Sequence, residues 1–277
     1  MPDFVRALLR STRPLRTALL RVAPALSRTD AARRRVASLL SPPADAPGAD
    51  FVPFGTSGIE IAVTSPPVPP GVARNLRDGT YEGPEARSAP RLLVRRDVVV
   101  ELGAGIGLIS SVVMKSGKAK AIHCFEADAR MIPLIHATHR RNGITRSKVY
   151  HAAVTADRDS LRRGEIALNL HGNFLGNSVT RAHARKIVES VTVPTCSLRD
   201  ILRALRPTVL LVDIEGAEAG LFRNAPLGSV RHIAVELHPR ALGGHEGVRR
   251  LFADLHEQGF AYDTRMSAGA VPVFSRV

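Results

Sequence analysis

Tryptophan is absent from this sequence, aromatic residues make up only 4%, and cysteine occurs twice in 277 positions. Single-stranded nucleic acids are gripped largely by aromatic stacking, so this scarcity argues against that ligand class. Cys124 and Cys196 each lie inside an apolar or strand-like run, which argues against a zinc cluster and for reduced thiols in a cytoplasmic setting. Long hydrophobic runs are missing too, and none approaches the roughly 18 residues of a membrane span. No apolar core with a small-residue cleavage site opens the chain, so the reading is not a secreted one. Lysine is scarce, 5 against 34 arginines. Such a bias accompanies G+C-rich coding, so the net charge of +14 is discounted as a sign of nucleic-acid binding.

What is present is an ordinary globular balance, 44% hydrophobic and 23% charged. Half of the positive excess sits in residues 1–41, with nine arginines against Asp3 and Asp30. There Phe4, Leu8, Leu9, Leu15, Leu19 and Leu20 recur among arginines at helical spacing, Pro14 and Pro24 punctuate, and Ser27 with Asp30 resembles a capping box. Three readings stand for this segment: a helical extension packed on the main domain, a basic helix on an anionic membrane or a partner, and a transit peptide. Residues 1–48 are therefore expected to form an Arg-rich helical extension and linker. Residues 49–277 follow as one domain, with a cap or hairpin at 49–90, its possible hairpin on FVPFGTSGIEIAVT flanked by two Pro-rich stretches, and a core at 91–277.

In the core, apolar runs of strand length alternate with helix-length stretches: DVVVELG, AIHCFEA, KVYHAAV, TVLLVDIEG and HIAVELHP. That alternation predicts a doubly wound α/β domain with a largely parallel sheet. The tail AYDTRMSAGAVPVF breaks it with two short strands expected to pair at the sheet edge.

The first of these strands runs into Glu101 and then Gly103, Gly105 and Gly107 before a helix. A dinucleotide fingerprint needs a sixth-position glycine, and Leu108 stands there, so an NAD- or FAD-dependent oxidoreductase is disfavoured. Glu126, 21 residues after Gly105, ends the next strand, where a carboxylate can accept both hydroxyls of a ribose. Glu101, Glu126, Asp213 with Glu215, and Glu236 all fall at carboxyl ends of strands, the edge where open α/β sheets bind ligands.

In this order and spacing GTYEGPEAR, ELGAGIG, FEAD, LLVDIEGAE and VELHP resemble the FkbM family of S-adenosylmethionine-dependent class I methyltransferases, over about residues 72–240. The resemblance implies a Rossmann-like seven-stranded sheet with a reversed edge strand, and S-adenosyl-L-methionine as cofactor. It implies that Gly103, Gly105 and Gly107 wrap the methionine end with Glu101 near its amino group, that Glu126 takes the ribose, that Ala153 packs the adenine, and that Tyr81 and Glu82 close over the cofactor. Where relatives read Thr-Leu-Asp before the fourth helix, this chain has Ser197, Leu198 and Arg199, with Asp200 displaced by one.

Nitrogen methyltransferases of nucleic acids often carry an Asn- or Asp-Pro-Pro-aromatic turn after the fourth strand. Asp213, Ile214, Glu215 and Gly216 stand there instead, so oxygen is the expected acceptor atom. O-methylation of a small molecule, sugar or glycolipid is the leading expectation; RNA or DNA methylation, or a non-catalytic cofactor-binding protein, are the alternatives. Glu215 is the expected general base, Asp213 a cofactor-side or structural carboxylate, and His238 either a proton acceptor or a polar strand terminus. No metal is expected, although these strand ends would allow one.

Overall fold

The computed structural model describes residues 28–171 and 187–277, so most of the Arg-rich segment, including Ser27, lies outside the described residues. Seven strands form the main sheet: β3 (Asp97–Leu102), β4 (Ala119–Glu126), β5 (Ser147–His151), β9 (Val209–Val212), β10 (His232–Val235), β11 (Phe260–Tyr262) and β12 (Val273–Arg276). Their spatial order is β5-β4-β3-β9-β10-β12-β11. Only β12 runs against its neighbours, pairing antiparallel with both β10 and the edge strand β11.

The central strands are apolar at almost every position because both faces are covered. Val99, Leu211 and Ala234 belong to one core, and Val100, Leu102, Leu210 and Val212 to the other. Helices α4 (Leu108–Lys115) and α5 (Ile132–Arg141) bury apolar residues in the first core. Helices α7 (Leu198–Leu205) and α8 (His245–His256) contribute Ile201, Leu202, Leu251 and Leu255 to the second. The order of strands reverses between β3 and β9, so the chain leaves these two neighbours in opposite directions and opens a crevice at their carboxyl ends.

The hairpin expected before the core forms from β1 (Asp50–Pro53) and β2 (Glu60–Val63). It docks on α5, where Ala62 N–H donates to Thr138 Oγ1 at 2.9 Å and Glu60 N–H to Asn142 Oδ1 at 3.1 Å. The described end of the N-terminal segment is packed on the domain as well. Residues 28–38 are helical, Val36 is buried in the second core, and Arg35 pairs bidentately with Asp200 at 2.8 and 2.9 Å. Ser197 caps α7 by accepting the Asp200 N–H at 3.1 Å, so the displaced Asp200 serves the helix start and the extension together.

The run KVYHAAV divides. Its first part is β5, whereas Ala153–Val154 (β6) leaves the main sheet and pairs with β8 (Ile187–Cys196), itself antiparallel to β7 (Glu165–His171). This second sheet, unforeseen from the sequence, stands beside the carboxyl end of β4.

Candidate functional site

Glu101 lies inside β3 near its end, Glu126 is the last residue of β4, and Asp213 and Glu236 directly follow β9 and β10. Parallel strands bring all four to one edge of the sheet. A cavity of about 460 Å³ opens there, lined by Tyr81, Glu82, Gly103, Gly105, Glu126, Ala153, Asp213, Glu215 and Glu236 among others. A smaller pocket, about 40 Å³, adjoins it through Glu82, Gly103, Asp213 and Glu236 and reaches Glu101. Gly107 does not line either. It holds the left-handed start of α4, and a Cβ there would meet Ile135 Cα at 3.4 Å, so its place is in helix packing.

Glu126 is 9% exposed, and its two oxygens accept the Gly105 and Asp128 N–H groups, each at 2.8 Å. The carboxylate thus ties the glycine turn to the end of β4. Gly103 is forced by contact: at φ +82° a Cβ would lie 1.6 Å from the Asp213 carbonyl oxygen. Glu82 and Glu215 adopt left-handed φ of 45° and 48°, uncommon for residues with a side chain. Such backbone strain, of order 1–3 kcal/mol per residue, gathers at working sites.

Seven carboxylates line the larger cavity, and among the described residues no lysine or arginine does. The electrostatics follow from that crowding. Burial pushes the Glu101 carboxyl up to about 8, opposed by hydrogen bonds from Cys124 and Ser110. Burial, with Glu101, Glu85 and Glu236 nearby, raises Glu82 to about 8. Burial raises Glu126 to about 7 and Glu215 to about 7, and it drives Asp213 well above the usual carboxyl range with help from Glu236 and Glu82. Burial would lower His238, but its hydrogen bond to Glu218 and the nearby Glu215 carry it above its ordinary value.

His238 gathers the turn after β9. Its Nε2 is 3.3 Å from Glu215 Oε2 and 3.7 Å from Asp213 Oδ1, and its Nδ1 is 3.2 Å from Glu218 Oε1. Glu218, within LLVDIEGAE, has no role that its position in the sequence marks; its side chain is fully buried. Asp213, Glu236 and His238 also hold ligand atoms within 4.8 Å of one another, close enough to share a cation.

The family model of the methyltransferase FkbM domain matches residues 101–262. The chain belongs to the FkbM methyltransferase family. It is accordingly a methyltransferase, and S-adenosylmethionine is its methyl donor. Solved structures with a similar arrangement include the ribosomal protein L11 methylase of Lactobacillus delbrueckii subsp. bulgaricus (12% identity, 72% of this chain and 80% of that one, TM-score 0.43). They also include M. jannaschii TYW2 in complex with AdoMet (12%, 83% and 87%, TM-score 0.43). A third is the precorrin-6y C5,15-methyltransferase of Geobacter metallireducens GS-15 (9%, 78% and 94%, TM-score 0.44). No curated protein sequence matches the chain significantly.

The residues present fit this cofactor. Among the described residues, a buried Glu101 Oε2 and a buried Asp213 Oδ1 have no hydrogen-bond partner, and both belong to acceptors facing the cavities. A ligand bearing an ammonium and a sulfonium supplies the donors and positive charge that this carboxylate-lined space lacks.

Two expectations arise here. Glu126→Ala should weaken S-adenosylhomocysteine binding, measured by calorimetric titration, by about 1–3 kcal/mol, the worth of charge-assisted hydrogen bonds; unchanged affinity would remove Glu126 from the cofactor site. The second concerns pH. Glu101 and Glu126 hold protons in the fold up to about 8 and about 7, whereas an unfolded carboxyl releases them near 4.5. The ligand-free protein should therefore lose stability as pH rises from about 4.5 to 8, by at most about 1.4 kcal/mol per pH unit and group. Urea unfolding at pH 5, 6.5 and 8 reads this slope, and Glu101→Gln should flatten it. A stability that climbs across the window in the native sequence would contradict the assignment.

Proposed function

We propose that this chain is an O-methyltransferase acting on a hydroxyl of a small molecule, sugar or glycolipid. The observation that carries the reading is the pairing of His238 Nε2 with Glu215 Oε2 at 3.3 Å, beside a cavity that Glu215 itself lines. An alcohol must surrender a proton during transfer, and this pair offers a place for it.

S-adenosylmethionine brings an already activated methyl group. The chain's task is to bind, align and deprotonate. Glu126 would hold the ribose hydroxyls while fixing the glycine turn through Gly105. Ala153 would pack the adenine, and Glu101 would receive the amino group with Gly103 and Gly105 along the methionine end. Gly107 would support that turn from behind. Tyr81, only 8% exposed, and Glu82 would close the cavity from the segment before the core. Asp213 would face the cofactor's positive charge. An alcohol is far too weak an acid to ionise beforehand at neutral pH, so the Glu215–His238 pair would take its proton as the C–O bond forms.

We place the enzyme in the cytoplasm, as the buried free thiols of Cys124 and Cys196 suit a reducing setting, and divide the chain into an extension at 1–48 and a methyltransferase domain at 49–277. Among the described residues no helix is long and apolar enough to cross a membrane. Arginines upstream of residue 28 could still bring the protein to an anionic lipid surface, which cosedimentation with acidic liposomes would test.

Methyl-labelled S-adenosylmethionine incubated with the protein and with fractionated sugar and lipid extracts decides the acceptor class. Label recovered as an alkali-stable methyl ether supports the reading, and label recovered on nitrogen or in RNA overturns it.

A further inference from the structure

We propose that Glu218 is a positioning residue for His238: its buried carboxylate holds the imidazole by Nδ1–H and leaves Nε2 as the atom that meets Glu215 and the acceptor hydroxyl. This rests on the O-methyltransferase reading and names how its base is set.

Glu218 is 1% exposed, and a carboxylate so placed needs donors. Its Oε1 has two, the Ile214 N–H at 3.4 Å and His238 Nδ1 at 3.2 Å, while Oε2 is buried with no hydrogen-bond partner among the described residues. The imidazole is therefore its principal donor. A carboxylate only accepts, so the bond exists only when Nδ1 carries the hydrogen, and the neutral ring must then present a bare Nε2. That nitrogen faces Glu215 Oε2 and Asp213 Oδ1, both on the turn after β9, with Glu236 on the turn after β10 completing the charged groups around it. A proton arriving from an alcohol would be shared between Nε2 and Glu215, while Glu218 offsets the charge of the imidazolium.

The backbone is built for this contact. At Gly216, φ +97°, a Cβ would lie 2.3 Å from the Ala241 Cβ, so only glycine lets the turn carrying Glu215 and Glu218 lie against the segment that carries His238. The Leu242 N–H donates to the His238 carbonyl at 3.0 Å and fixes that segment in turn.

The test is the tautomer of His238 in full-length protein labelled with 15N-histidine, read from long-range 15N–1H spectra at a pH where the ring is neutral. His238→Gln identifies the resonances. The native protein should show a protonated Nδ1 and an unprotonated Nε2. Glu218→Gln keeps an acceptor oxygen but loses the charge, so it should preserve the tautomer and lower the titration midpoint by about one pH unit. Its affinity for S-adenosylhomocysteine should stay within about twofold of native, because Glu218 does not line the cavity. Glu218→Leu should release the ring to the Nε2–H form. A native His238 carrying its hydrogen on Nε2 overturns the proposal whatever the variants do. So does selective broadening of Nε2 by micromolar Mn2+, which would make that atom a metal ligand. A fixed Nδ1–H tautomer with methyl transfer to nitrogen would sink only the oxygen reading.

Discussion

Replacing Gly103 with alanine is expected to cost at least about 4 kcal/mol of stability and to abolish S-adenosylhomocysteine binding in whatever protein still folds. Two independent effects add at this position. The backbone sits at φ +82°, where a side chain costs roughly 1–2 kcal/mol. The added Cβ would then stand 1.6 Å from the Asp213 carbonyl oxygen and 2.8 Å from its carbon, which are backbone atoms and cannot rotate away. Relief requires β3 and β9 to part where Asp213 N–H donates to the Leu102 carbonyl at 2.8 Å, at the crevice that holds the site. Gly117 supplies the control, since it also has positive φ, +73°, but a Cβ there meets nothing within 4 Å. Gly117→Ala should cost about 1 kcal/mol and leave binding intact. Equal urea midpoints for the two variants would show that the steric clash is absorbed and that the glycine turn tolerates a side chain.

The strand-end geometry of this candidate site is legible in the sequence for a local reason. Residues at the carboxyl ends of parallel strands share one edge whatever the helices do, so the positions of Glu101, Glu126, Asp213 and Glu236 in their apolar runs sufficed to bring them together. The glycine turn was legible for the same local reason, although its third member, Gly107, turns out to pack against α5. Features set by long-range contact were not legible. Nothing around Ala153 signals that the strand ending at His151 breaks and that its continuation joins β8, because the partner lies some forty residues away. Arg35 meets Asp200 across 165 positions by pairing that no local pattern encodes. Glu218 was hidden differently. It lies within the quoted motif, but its reach back to His238 depends on left-handed backbone at Glu215, φ 48°, followed by Gly216, φ 97°. Helical or strand periodicity would have sent that side chain elsewhere; an acid flanked by alanines and followed by Leu221 and Phe222 was the available hint that it is buried.

Glu215→Gln should lower turnover by roughly 100- to 10,000-fold with cofactor affinity unchanged, whereas Asp213→Asn should keep turnover within about tenfold. The two carboxylates stand two residues apart, yet their surroundings differ. Asp213 is driven well above the usual carboxyl range by burial, Glu236 and Glu82, and its Oδ1 has no hydrogen-bond partner among the described residues. Burial favours its neutral form in the ligand-free protein, a form that asparagine mimics closely. Its substitution should therefore spare the fold and appear as weaker cofactor binding, about 1–3 kcal/mol, if Asp213 ionises against the cofactor's charge. Glu215 has a carboxyl raised only to about 7, held down by His238, so it changes protonation where the enzyme works. Glutamine removes the carboxylate facing Nε2 and cannot share the incoming proton. Because the base must be unprotonated, native turnover should rise with pH through about 7, and Glu215→Gln should leave only the weaker limb contributed by His238. Near-native turnover of Glu215→Gln on a verified acceptor would discharge Glu215 from proton transfer and leave alignment and His238 to account for the rate.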